Sequence, residues 1–139
     1  MAENKAYPSG VPAAIPMPSS GAQPTQTPEE PLLLAFSHFD ECNQAHLTMD
    51  EYERCLMNMW RELCRVYAGR PISLPLLGSG ITRFDDVRRK SEGELLRCML
   101  CTLRSTGHSF SKPISIVLTS EAISRVDLYE MKGVLRYGL

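Results

Sequence analysis

The stretch that most constrains this chain is Ile72-Ser-Leu-Pro-Leu-Leu-Gly-Ser-Gly-Ile-Thr-Arg-Phe84, a short apolar run that breaks into glycines and then leads towards a helical pattern. A near-continuous apolar run of this length reads as a strand buried on both faces. Two glycines directly after it allow backbone angles that side chains forbid and let a ligand approach the main chain. Successive peptide N–H groups in such a turn make a concavity that suits phosphate. Two readings stand: a phosphate loop, or a strand-to-helix turn that needs glycine for its own geometry. Two commoner nucleotide motifs do not fit. A P-loop starting at Gly78 would need its second glycine where Arg83 stands, and no Lys-Ser follows. The dinucleotide fingerprint would need a third glycine or alanine at the same position.

With 139 residues, 43% of them hydrophobic and 22% charged, the chain has the makings of one soluble globular unit with a real core. A formal charge of −1 argues against a nucleic-acid partner, which calls for a basic face. Arg83, Arg88, Arg89 and Lys90 are the local exception, either a solvated loop or a cationic rim beside the glycines. No apolar run reaches the length of a membrane helix, and Met1 to Lys5 does not resemble a signal peptide. Five cysteines, an odd number lying mostly within helical patterns, indicate reduced thiols and a cytoplasmic location. Cys98 and Cys101 have no second ligand pair at metal spacing, so no metal site is expected.

Residues 1–31 hold seven of the ten prolines and read as a disordered tail, leaving 32–139 as the folded domain. Leu32 to Ser37 reads as a first strand, followed by a polar connection. Thr48-Met-Asp-Glu51 is a capping box that opens a helix with Tyr52, Leu56, Met59, Trp60, Leu63 and Tyr67 on one face. The strand from Ile72 follows, then a second capping box at Ser91-Glu-Gly-Glu94. Leu95, Leu96, Met99, Leu100 and Leu103 are the inner face of that second helix. Ile114 to Thr119 is a β-branched strand. A last helix opening at Ser124-Arg-Val-Asp127 should bury Leu128, Met131 and Leu135. The order β-α-β-α-β-α predicts an α/β fold with a largely parallel sheet between helical layers. Ligands of such sheets sit outside the carboxyl ends of the strands. In this chain those ends are Ser37 to Phe39, Gly78 to Phe84 and Thr119 to Glu121. His38 reads as a loop residue, since no carboxylate or nucleophile is spaced to partner it. Enzyme chemistry is not visible.

Leu32-Leu-Leu-Ala-Phe-Ser37, Leu47-Thr-x-x-Glu51-Tyr52, Trp60 and above all Ile72 to Arg83 resemble a macro domain. The branch they look most like is the macro-like domain of Thoeris anti-phage defence effectors in bacteria. Ile114 to Leu118 and Val126-Asp-Leu-Tyr-Glu-Met-Lys132 fit the same pattern. The resemblance implies a three-layer α/β/α fold that binds ADP-ribose or a related NAD-derived nucleotide, with no separate cofactor. It implies that Gly78, Ser79, Gly80 and Ile81 offer main-chain N–H groups to the diphosphate, with Thr82 and Arg83 beside them. Two departures matter. The better-known macro loop has an aromatic residue and a glycine where this chain has Thr82 and Arg83. The strands and helix that carry the adenine-reading acid and the Asn-rich loop are also missing upstream. Tyr7-Pro8-Ser9-Gly10-Val11 resembles the turn preceding the Leu32 strand in the family, so the chain looks like the C-terminal portion of a macro domain. The missing half, or an oligomeric partner, would complete it. Three functions stay open: a non-catalytic nucleotide-binding module, a structural fragment that binds nothing, and an ADP-ribosyl hydrolase.

Overall fold

A computed structural model describes residues 12–14, 30–67, 69–80, 82–85 and 90–137, the first three as backbone only. Helix α1, Met49–Tyr67, starts where the sequence places its cap. The Thr48 N–H donates to Glu51 Oε2 at 2.8 Å, and the Glu51 N–H donates to Thr48 Oγ1 at 3.2 Å. Tyr52, Cys55, Leu56, Met59, Trp60 and Leu63 are buried along one face, whereas Tyr67 is half-buried. Helix α2, Glu92–Thr106, repeats the device with Ser91 and Glu94 and stops at Gly107, whose φ of 63° is left-handed. α1 packs on α2. The Trp60 indole N–H donates across that interface to Thr102 Oγ1 at 3.0 Å, giving the fully buried ring a partner for its one polar atom.

The strands are shorter and more divided than the sequence suggests. β1, Pro12–Ala14, lies inside the proline-rich stretch and pairs antiparallel with β2, Leu32–Leu34. At those three residues the structure departs from the expected tail; a proline as first residue of an edge strand leaves no ladder N–H missing. The polar connection is a hairpin. β3, His38–Phe39, and β4, Ala45–Leu47, join through a turn in which Asp40 Oδ1 accepts the N–H groups of Cys42 and Gln44. Asn43 there takes a left-handed φ of 57°, a conformation asparagine tolerates. β5, Ile72–Pro75, is followed by the glycine stretch and by β6, Arg83–Phe84, which runs parallel to β4. β7, Ile114–Val117, runs parallel to β5 in the register Ile72 to Ile114 and Leu74 to Ile116. The described strands therefore form three small sheets in place of one continuous parallel sheet, and β2 pairs with β1 only.

The β5–β7 pair alternates. Leu74 belongs to the same core as Leu56, Trp60, Leu96 and Met99, with Ile72, Ile114 and Ile116 packed against it. Ser73, Pro75, Ser115 and Val117 are exposed on the opposite face. Burial on both faces, the reading the apolar run invites, does not hold here: among the described residues the helices cover one side. The fold is α/β and macro-like, with one face of this parallel pair open.

The C-terminal segment is two helices. α3, Ser120–Arg125, is capped by Thr119, and α4, Leu128–Tyr137, is capped by Asp127 Oδ1, which accepts from Tyr129 N and Glu130 N. Met131 is buried as expected, but Leu128 and Leu135 are 56% and 53% exposed, and Val126 and Val134 are the buried residues. Polar anchors fix that rotation. Arg97 pairs with Glu130 at 2.7 Å, and Arg104 donates to the carbonyls of Val134 and Leu135 at 3.2 and 2.6 Å, so α4 turns Met131 and Val134 inward. Among the described residues, no helix is long and apolar enough to cross a membrane.

Candidate functional site

Because β5 and β7 run parallel, Leu76 to Gly80 leaves the pair at the same end as Leu118 to Ser120. Gly78 has a φ of 83°, which L-residues avoid. A Cβ there would lie 3.4 Å from the rings of Phe84 and Tyr52 and 3.5 Å from Leu95. The glycine is thus required by the fold itself. Gly80 differs: it is exposed, and a Cβ would meet nothing within 4 Å. Among the described residues, nothing packs against position 80 that would require glycine there.

Tyr52 supports this turn from α1. Its hydroxyl donates to the Leu77 carbonyl at 2.8 Å, while its ring stands edge-on to Phe84 at 5.5 Å and tilted against Phe36 at 6.4 Å. Burial pushes the phenol far up, so it remains a neutral donor. Ser79 Oγ donates to the Leu76 carbonyl at 2.8 Å, closing the turn on itself. Thr82 is half-buried and Arg83 is exposed at the start of β6. Gly78, Ser79, Gly80, Thr82 and Arg83 thus form one ledge at the strand ends; Ile81, Arg88 and Arg89 lie outside the described residues. Lys90 is within 3.7 Å of Glu94. Two concavities, of about 640 and 230 Å³, are lined largely by α1 and include no residue of 76–85.

His38 does have a carboxylate partner, contrary to the expectation from spacing: its Nε2 lies 3.2 Å from Glu51 Oε1. Glu51 thus serves both the α1 cap and His38. Its carboxyl is held below the usual range by the Thr48 N–H, then by the Thr48 hydroxyl and His38. The sequence reading also missed His46 on β4. Its Nδ1 is 2.5 Å from Asp85 Oδ1, just beyond β6, and its Nε2 is 2.8 Å from Asp40 Oδ2 in the hairpin turn. Asp85 is distant in sequence, so no local pattern announces the pair; the alternation of Ala45, His46 and Leu47 was the available signal for a strand with an outward histidine. Burial pushes the Cys98 thiol up to about 12, and no group of three or more metal-ligating side chains occurs among the described residues.

A family model described as "Thoeris protein ThsA, Macro domain" matches residues 4–119, a span that takes in the proline-rich stretch and ends at the cap of α3. The chain is 37% identical over 109 residues to the Thoeris protein ThsA of Bacillus amyloliquefaciens (strain Y2). That match covers 77% of this chain and 36% of the relative, so the chain spans about a third of that protein's length. The glycine ledge, the two capping boxes and β7 all fall within the span matched by the family model, and the chain belongs to the ThsA macro-domain family of Thoeris proteins.

Proposed function

We propose that this chain is a non-catalytic module that binds ADP-ribose or a related NAD-derived nucleotide through the main chain of Gly78 to Ile81. In this reading Thr82 and Arg83 lie alongside the diphosphate, and the module serves anti-phage defence in the bacterial cytoplasm. The observation that carries the reading is Gly80: an exposed glycine without a left-handed φ, against whose added Cβ no described residue would pack, on a ledge braced from below by Tyr52 and Phe84. Arg83, exposed three residues further on, supplies charge for phosphate. Absence of chemistry is supported by how the polar groups are used. The Ser79 hydroxyl is turned to Leu76 O, and both nitrogens of His46 are engaged by carboxylates.

Calorimetry with ADP-ribose tests this. Gly80→Val places a branched side chain where the diphosphate would lie and should weaken binding by about tenfold or more, or roughly 1.4 kcal/mol. Ser105→Val, on the exposed side of α2, should change it little. Equal effects from the two substitutions overturn the assignment of the loop. Turnover of an ADP-ribosylated peptide by the wild-type chain would overturn the non-catalytic reading.

The open face of β5–β7, with Ser73, Pro75, Ser115 and Val117 exposed, favours a second reading as a fragment that is completed by further chain. Under it, ADP-ribose binding by residues 1–139 is weaker by about 10- to 100-fold than in a longer chain, since an adenine left wet forfeits its hydrogen bonds.

A further inference from the structure

The glycine ledge is held at two places. Its incoming end is bonded by the Tyr52 hydroxyl to Leu77 O, and its outgoing end runs through β6 into Asp85. There the Asp85 N–H donates to Leu47 O at 3.0 Å and the Asp85 carboxylate meets His46 Nδ1. The other imidazole nitrogen meets Asp40, which the hairpin turn itself fixes through the N–H groups of Cys42 and Gln44 at 2.8 and 2.9 Å. A neutral imidazole has one N–H and one lone pair, and so can donate to only one of two carboxylates while its lone pair faces the other. An imidazolium donates to both. The geometry is therefore that of a protonated ring bridging the hairpin turn and the end of β6.

We propose that His46 is a positioning residue which, while it carries both protons, clamps Asp85 to Asp40 and so holds Thr82 and Arg83 in their binding arrangement. The proposal rests on the reading of the ledge as the nucleotide site. The described charged groups around the ring agree with it. Arg83 and His38 occupy the paired positions on either side of His46 in the β6 and β3 ladders and bring positive charge, His38 only when protonated and then beside Glu51. The two directly bonded carboxylates outweigh them, chiefly Asp85 and then Asp40, and raise the imidazole above its ordinary value. Asp40 is held below the usual carboxylate range, first by the Gln44 N–H and also by His46. The sign follows. The histidine's contribution is complete below the ordinary imidazole value and is lost as pH rises through the elevated one. The aspartate's is complete above the ordinary carboxylate value and is lost only as pH falls through the depressed one. Between those limits the clamp is closed.

The test follows amide exchange of Thr82, Arg83 and Phe84 and calorimetric ADP-ribose affinity from about pH 6 to about pH 9, in wild type, His46→Gln and Asp85→Asn. Expected for wild type is a rise in exchange with the imidazole titration, beyond the intrinsic pH dependence, and about a tenfold loss of affinity if the clamped fraction falls to a tenth. His46→Gln, which cannot ionise, should show the open-clamp values at all pH; Asp85→Asn should shift the transition to lower pH. Exchange in wild type that does not follow His46 titration overturns the clamp. Exchange that titrates while ADP-ribose fails to bind at any pH leaves the clamp standing and overturns the nucleotide reading instead.

Discussion

Two glycines separated by one serine have opposite reasons for being glycine. At position 78 the backbone is left-handed, with Phe84, Tyr52 and Leu95 at contact distance from where a Cβ would stand. Gly78→Ala should therefore lower the unfolding free energy by about 1–2 kcal/mol, from the left-handed conformation. Gly80→Ala should leave stability within about 0.5 kcal/mol, as surface substitutions do. Denaturant melts of the two variants check this, and an equal loss in both would mean that the backbone at 80 is also under strain. Sequence alone marks both residues as loop glycines and cannot separate them, because the difference lies in the backbone angle at 78, which is set only once the turn packs against α1, α2 and β6.

Among the elements, the long helices and the strands β2, β5 and β7 were legible, and the hairpin and β6 were not. Each capping box is a local four-residue event, and both are formed. Ser91→Ala should cost about 1 kcal/mol in the same melts, since the Glu94 N–H loses its acceptor and the helix its start signal; no loss would show that α2 is held by packing alone. The reciprocal bond of the box, from the Ser91 N–H to Glu94 Oε2, chiefly holds the Glu94 carboxyl low, so its stabilisation is present above the ordinary carboxylate range and fades as pH falls through the depressed value. The hairpin of β3 and β4 and the short β6 escaped notice because two- and three-residue strands carry no periodicity; their existence is decided by partners far along the chain. The rotation of α4 escaped for a similar reason. Leu128, Met131 and Leu135 make a plausible stripe, yet Arg97 and Arg104 from α2 fix a face through Met131 and Val134.

For the whole molecule, the family match ends at residue 119 whereas the core does not. Val126, Met131 and Val134 are each at most 8% exposed and complete the cluster around Leu95, Leu96, Met99 and Leu100. Burial of each side chain is worth roughly 1.5–3 kcal/mol, a sum comparable with the stability of a small domain, about 5–15 kcal/mol. A chain cut after Thr119 should therefore lose its near-ultraviolet circular dichroism and expose apolar surface to dye. A truncated chain with a cooperative, wild-type melt would show that α3 and α4 are an appendage.

What the sequence determined by itself is what depends on neighbours within one or two turns: both long helices, their caps, their buried faces, and the placing of a glycine turn directly after an apolar strand. The tertiary structure alone decided which face of β5 and β7 is covered, why Gly78 and Gly80 differ, and that His46 sits between Asp40 and Asp85. Each of these rests on contacts between segments that are far apart in sequence. The energies of such contacts are set by distance and burial after folding, and a one-dimensional pattern contains neither.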